Sequence, residues 1–181
     1  MIDPETTTLG HTSHTPSGAR CVTLRPTMFR ALHRAAYRVA HPVLTFLAIL
    51  TPRRGLGAKC LLTYQGDVLL VRHTYGDSRR WDLPGGRVGR GEEPGAAARR
   101  EAHEELGVEL ATMDALGARE LQLVGRRVLI HYFCAELDSP DLRPDGIELA
   151  EARWYSPQAM PKQLGRGVRD VVRQALASVG T

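Results

Sequence analysis

Gly85-Gly86-Arg87-Val88-Gly89-Arg90-Gly91-Glu92-Glu93-Pro94 runs directly into Gly95-Ala96-Ala97-Ala98-Arg99-Arg100-Glu101-Ala102-His103-Glu104-Glu105-Leu106-Gly107-Val108. The glycines of the first half let the main chain come close to a ligand, and a glycine loop that opens a helix can offer amide N–H groups to phosphate. The second half reads as a helix over 94–106, with Pro94 in its first turn and Gly107 just past its end. At about 100° per residue, Glu101, Glu104 and Glu105 fall within roughly 100° of one another on one face. Three like charges so placed repel, so no stability argument favours them. As oxygen ligands, the same three suit a hard divalent cation. Ala98, Ala102 and Leu106 form a neighbouring stripe at steps of four, fit to bury the helix against a sheet. Taken singly, the glycines also suit a plain connecting turn, and the acids a solvated face.

Outward from this segment, residues 56–64 and 68–73 read as two strands joined by a Gln65-Gly66-Asp67 turn. Residues 83–86 form a short extended piece leading into the glycine loop. Further strands are expected at 120–123 and 127–137, and Trp154-Tyr155 closes another. An acidic loop carrying Glu148 and Glu151 precedes Trp154. After Ser156 come a short helix and a longer one at 168–179, where Val168, Val171, Val172, Ala175 and Leu176 share a face. Strands and helices mix without regular βα alternation, which places the chain in the α+β class.

Residues 1–26, rich in Thr, Ser, Gly, Pro and His, read as a disordered tail. Thr27 can cap a helix over 28–40, with Phe29, Leu32, Ala36 and Val39 on one face and Arg30, Arg34 and Arg38 on another. This segment, 27–51 with the apolar stretch after it, offers two uses. It can lie on a membrane surface through residues 28–41, or its apolar stripe can pack on the domain or on a second subunit, as in a homodimer; the second is the plainer reading. The catalytic domain is expected at 52–181.

Hydrophobic residues at 43% and charged residues at 24% make an ordinary globular balance, enough for one domain with an appendage. A net charge of +4 suits an acidic small molecule and is too slight to imply nucleic-acid binding. Cys21, Cys60 and Cys134 lie far apart and form no metal-ligand spacing, so they read as reduced thiols. No basic stretch followed by an apolar run marks a secretory signal, and residues 43–50 fall well short of the roughly 20 needed to span a bilayer. A cytoplasmic protein without a transmembrane segment is the expectation.

The full spacing from residue 86 to residue 108 matches the Nudix box. Gly86 is followed after five residues by Glu92, then after seven by Arg100-Glu101, Ala102, Glu104-Glu105, Gly107 and Val108. With each of seven obligatory positions at about 7% usage, a chance match is on the order of one in a million. The chain is therefore identified as a member of the Nudix hydrolase family, with softer similarity extending over 53–176. The resemblance implies an α/β/α sandwich with a mixed β-sheet and hydrolysis of a diphosphate linkage, in a nucleoside diphosphate joined to another moiety, by water attack on phosphorus. Alternatives are a nucleoside triphosphate pyrophosphohydrolase and a non-catalytic nucleotide-binding module; degenerate modules lose box carboxylates, and none is missing here.

By the same resemblance, Glu101, Glu104 and Glu105, helped by the Gly86 carbonyl, would hold Mg²⁺ or Mn²⁺. Arg100 would orient a glutamate, Glu92 would be a supporting carboxylate, and Glu101 would be a base-adjacent ligand. Glu148, ranked first, and Glu151 are candidates for a distal base or ligand. Arg72, Arg80 and Arg87 (and Arg79 beside them) are candidate phosphate contacts, and Trp81 a surface on which a base stacks; each also reads as an ordinary surface or packed residue. His73 and His103 lack partners at ligand spacing and receive no role. Marks of particular substrates are absent. Position 123 is Leu where ADP-ribose hydrolases often carry proline, and no SQPWPxPxS run occurs. For residues 28–41, packing within the protein predicts that neither wild type nor an Arg30/Arg34/Arg38→Glu variant co-sediments with anionic liposomes. Sedimentation of wild type alone would establish the membrane role instead.

Overall fold

Ala58, Cys60 and Leu62 point to one face of their strand and Leu61 to the other, so apolar side chains on both faces must be covered. The computed structural model describes residues 21–23 (backbone), 55–75, 77–123, 126–144 and 148–179. The helix and apolar segment expected within 27–51 lie outside the described residues. The strands are β1 (Cys21–Thr23), β2 (Gly55–Tyr64), β3 (Asp67–His73), β4 (Gly85–Arg87), β5 (Asp114–Leu123), β6 (Arg126–Glu136) and β7 (Leu149–Tyr155). Helix α1 spans Pro94–Leu106 and α2 spans Val168–Val179, with a 3-10 turn at Pro157–Ala159.

The sheet runs β1-β7-β3-β2-β6-β5, with β4 added to β2. Every pairing is antiparallel except β2 with β6, so the sheet is mixed, as expected. On one face, Cys60, Leu62, Leu69, Val71, Ala152 and Trp154 pack with Ala102 and Leu106 of α1, and Ala58 packs with Ala97 and Ala98. On the other, Leu61, Val68, Leu70, Ile130 and Tyr132 pack with Val168, Val171, Val172 and Ala175 of α2. The result is an α/β/α sandwich. Alanines on the inner side of α1 let the helix backbone approach the sheet closely, which fixes the height of its carboxylates. Gly107 closes the helix, its N–H donating to His103 O at 2.9 Å.

Several boundaries moved from expectation. The β2–β3 turn is the two residues Gln65 and Gly66, both at positive φ (49° and 82°), the geometry that matches strand twist. β5 starts at Asp114 rather than 120, because β6 offers it a partner along its whole length; a bulge between Ala115 and Gly117 absorbs the poor strand sequence there. Its outer carbonyls are covered by side chains, Leu116 O by Gln174 Nε2 at 2.9 Å and Gln122 O by Arg166. Cys21–Thr23, within the stretch read as a tail, adds a strand to the outer edge of β7, where unpaired backbone groups accept it.

Cys60 is a buried free thiol, its pKa pushed up to about 12 by burial; Cys134 is free and half-buried. Among the described residues, no helix is long and apolar enough to cross a membrane. Ala102 is 1% exposed between α1 and the sheet. Ala102→Leu is expected to cost about 1–3 kcal/mol by overpacking, read as a lower midpoint in thermal unfolding. An unchanged midpoint would show that α1 is not seated this closely.

Candidate active site

β4 carries the glycine loop onto the first half of β2, with Ala58 opposite Gly86 and Lys59 opposite Gly85. Only glycine fits at 85: its φ is 138°, and a Cβ there would collide with Ala58 O and lie 2.7 Å from Lys59 Cα. At Gly86 a Cβ would come within 2.6 Å of Glu101 Cδ, so the missing side chain is the space that Glu101 occupies. Glu92 then folds the loop onto the helix, its Oε2 accepting from Gly89 N at 2.6 Å.

One guanidinium organises the acids. Arg100 donates through Nε to Glu92 Oε1 at 2.9 Å and through Nη2 to Glu92 Oε2 at 3.1 Å, a two-pronged contact. Its Nη1 donates to both Glu101 Oε1 (2.9 Å) and Glu104 Oε2 (3.0 Å), and Nη2 also reaches Arg87 O at 3.0 Å. These bonds hold Arg100 firmly protonated. They also pull the Glu92 carboxyl below its ordinary range, with the Gly89 amide helping. Glu101 goes the other way. Burial raises its pKa more than Arg100 lowers it, and repulsion from Glu104 and Glu148 adds to the rise.

Glu105 turns inward. It is 2% exposed, and its Oε2 accepts from Gly85 N at 3.0 Å. Glu101 and Glu105 thus bracket Gly85-Gly86 while Glu104 stays largely exposed. The donor set is all oxygen and anionic, the chemistry that Mg²⁺ or Mn²⁺ requires, and the Gly86 cradle seats one donor against the loop. Among the described residues, no three acidic, histidine or cysteine side chains are arranged as a metal cage; the acids are partnered by Arg100 and by backbone.

Other expected site residues are distributed as follows. Glu148, just before β7, is near enough to Glu101 to help raise its pKa, and its carbonyl accepts from Thr74 N at 2.8 Å. Glu151 sits not in a loop but within β7, its carboxylate bound by Arg72 and Arg153. Those arginines lie over Trp81, which belongs to the core under α2, so Glu151, Arg72 and Trp81 occupy the sheet face opposite α1. Strand alternation decides this, because Ala152 and Trp154 point toward α1. Arg80 is exposed and pairs with Asp77 at 2.9 Å, beside Arg79. Arg87 is exposed at the glycine loop. His73, given no role from sequence, has Nδ1 3.8 Å from Glu105 Oε1; the 32-residue separation leaves no local spacing to betray it. A cavity of about 510 Å³ between α2 and β5–β6 shares no residue with the acidic cluster.

A family model of the NUDIX domain matches residues 53–175. The chain belongs to the Nudix family. It is 34% identical over 101 residues to a Bacillus subtilis (strain 168) protein named "Putative 8-oxo-dGTP diphosphatase", covering 56% of this chain and 65% of that one. To the NAD-capped RNA hydrolase NudC of Vibrio parahaemolyticus it is 25% identical over 117 residues, 64% of this chain and 44% of the relative. The chain thus spans less than two thirds of either relative's length. The crystal structure of a MutT NUDIX hydrolase from Burkholderia pseudomallei superposes with TM-score 0.62 at 23% identity, over 67% of this chain and 98% of that one.

The opposed shifts in this Nudix cluster have a pH signature. Glu92, lowered, stabilises the fold above its ordinary range and loses that contribution as pH falls through its native value. Glu101, raised, contributes while protonated and loses this as pH rises through its native value. In Arg100→Gln, carboxyl-carbon NMR titration is expected to show Glu92 moving up toward its ordinary value and Glu101 rising further. Unmoved titrations would remove Arg100 from the centre of the cluster.

Proposed function

We propose that this chain hydrolyses the diphosphate linkage of a nucleoside diphosphate joined to another moiety, with residues 52–181 as the catalytic domain. The observation that carries this reading is the convergence on Gly85-Gly86 and Arg100 of carboxylates that would otherwise repel. Glu101, Glu104 and Glu105 would hold the divalent cation that Nudix hydrolases generally use. When bound, that ion supplies charge neutralisation at the diphosphate and lowers the pKa of a coordinated water.

The chain's own residues do the rest. Arg100 fixes the rotamers of Glu101 and Glu104, so positioning is settled before substrate arrives. In the reaction, a water oxygen bonds to phosphorus, the bridging P–O bond breaks, and the water proton passes to a carboxylate. Glu101 and Glu148 are suited to receive it: Glu148 is near enough for its charge to act on Glu101, and burial holds the Glu101 carboxyl above its ordinary value. Glu151 is not, because its carboxylate is engaged by two arginines on the far sheet face. Exposed Arg87, at the loop, would meet a phosphate oxygen.

A second reading, release of diphosphate from a nucleoside triphosphate, is favoured by the 34% identity to the Bacillus subtilis relative named for 8-oxo-dGTP. The NAD-capped RNA hydrolase relative favours the first. Assay of nucleotide sugars, dinucleotides and (oxidised) deoxynucleoside triphosphates with Mg²⁺ and Mn²⁺, scored by the phosphates released, separates the two. Glu104→Gln and Glu105→Gln are each expected to lower kcat by about a hundredfold or more, on the order of 3 kcal/mol of barrier. Near-normal turnover by either would remove it from the metal-holding set.

A further inference from the structure

The carboxylate of Glu151 holds two arginines at once. Its Oε2 accepts from Arg72 Nη2, and its Oε1 from Arg153 Nη2 at 2.6 Å. Register sets this up, since Arg72 lies opposite Glu151 and Leu70 opposite Arg153 where β3 meets β7. Both guanidiniums lie over Trp81, 5.1 and 5.7 Å from the ring centroid, and Tyr155 meets that ring edge-on at 5.1 Å. Trp81 itself is only 8% exposed, whereas each arginine side chain is 33% exposed. The outcome is a cationic surface of two guanidiniums, backed by aromatic rings and held by a nearly buried acid.

Such a triplet is a poor device for stability alone. Desolvating Glu151 beside two guanidiniums is costly, and apolar side chains at these positions would cover Trp81 without that penalty. A guanidinium already stacked on one ring is planar and weakly hydrated, and its outer face accepts another flat ring. The surface is also tied to the acidic cluster by short links. β3 passes from Arg72 to His73, which approaches Glu105, and Trp81 leads through Asp82-Leu83-Pro84 to Gly85, whose amide holds Glu105.

We propose that Arg72 and Arg153, oriented by Glu151, form the platform on which the base of the nucleotide stacks. Trp81 is then the buried support rather than the stacking surface. This rests on the reading that the substrate is a nucleotide. The test is calorimetric titration of the metal-free protein with AMP and with ribose 5-phosphate, which keeps the sugar phosphate and lacks the base. Wild type is expected to bind AMP the more tightly. Arg153→Ala is expected to weaken AMP about tenfold and to move ribose 5-phosphate by less than about twofold. Arg153→Lys, which keeps the charge and loses the plane, should weaken AMP as alanine does.

Equal losses for the two ligands, or rescue by lysine, would make this an anion site and overturn the proposal. So would unchanged AMP affinity with a lowered thermal midpoint, which leaves only a structural ion triplet, or the lack of saturable AMP binding by wild type. Hydrolysis of a nucleoside diphosphate derivative by wild type reports separately on the underlying reading, because it can persist where the platform fails.

Discussion

Four carboxylates crowd the glycine loop and the last two turns of α1, and their mutual repulsion must be met by something. Arg100 meets most of it. Its planar, multi-donor head reaches Glu92, Glu101, Glu104 and the Arg87 carbonyl together, which a lysine's compact ammonium could not do in one geometry. Glu105 is held by the Gly85 amide and approached by His73, and that amide is available only because β4 is pinned to β2 at a position where no side chain fits. The acidic cluster, the glycine loop and the close seating of α1 therefore depend on one another.

The two faces of the sheet divide the labour. The α1 face carries the acids in a polar, negative setting; the α2 face carries Arg72, Arg153 and Trp81 in a positive one. A single strand, β3, serves both, because successive side chains point to opposite sides: Arg72 one way, His73 the other, with a bulge between them. A substrate with an anionic diphosphate and a flat base presents the same division of character.

Glu151 illustrates how a residue's chemistry follows its neighbours. Read along the chain, it stands beside Glu148 in an acidic stretch before Trp154, and both look like bases in waiting. In the fold, Glu148 approaches Glu101, while Glu151, three residues on, is committed to two cations across the sheet. Spacing along the chain held no trace of that separation, because it comes from the pairing of β7 with β3.

The Nudix helix, its carboxylate face, its alanine stripe and its capping glycine could all be read from the amino-acid sequence, since each rests on contacts within a few residues and on the 3.6-residue period. The mixed sheet, too, followed from the resemblance that those residues carry. The start of β5, the approach of His73 to Glu105, the cover over Trp81 and the fate of Glu151 were decided by tertiary structure. Each depends on which strand lies beside which and in what register, and that is fixed by burying both faces of the sheet at once rather than by any local pattern.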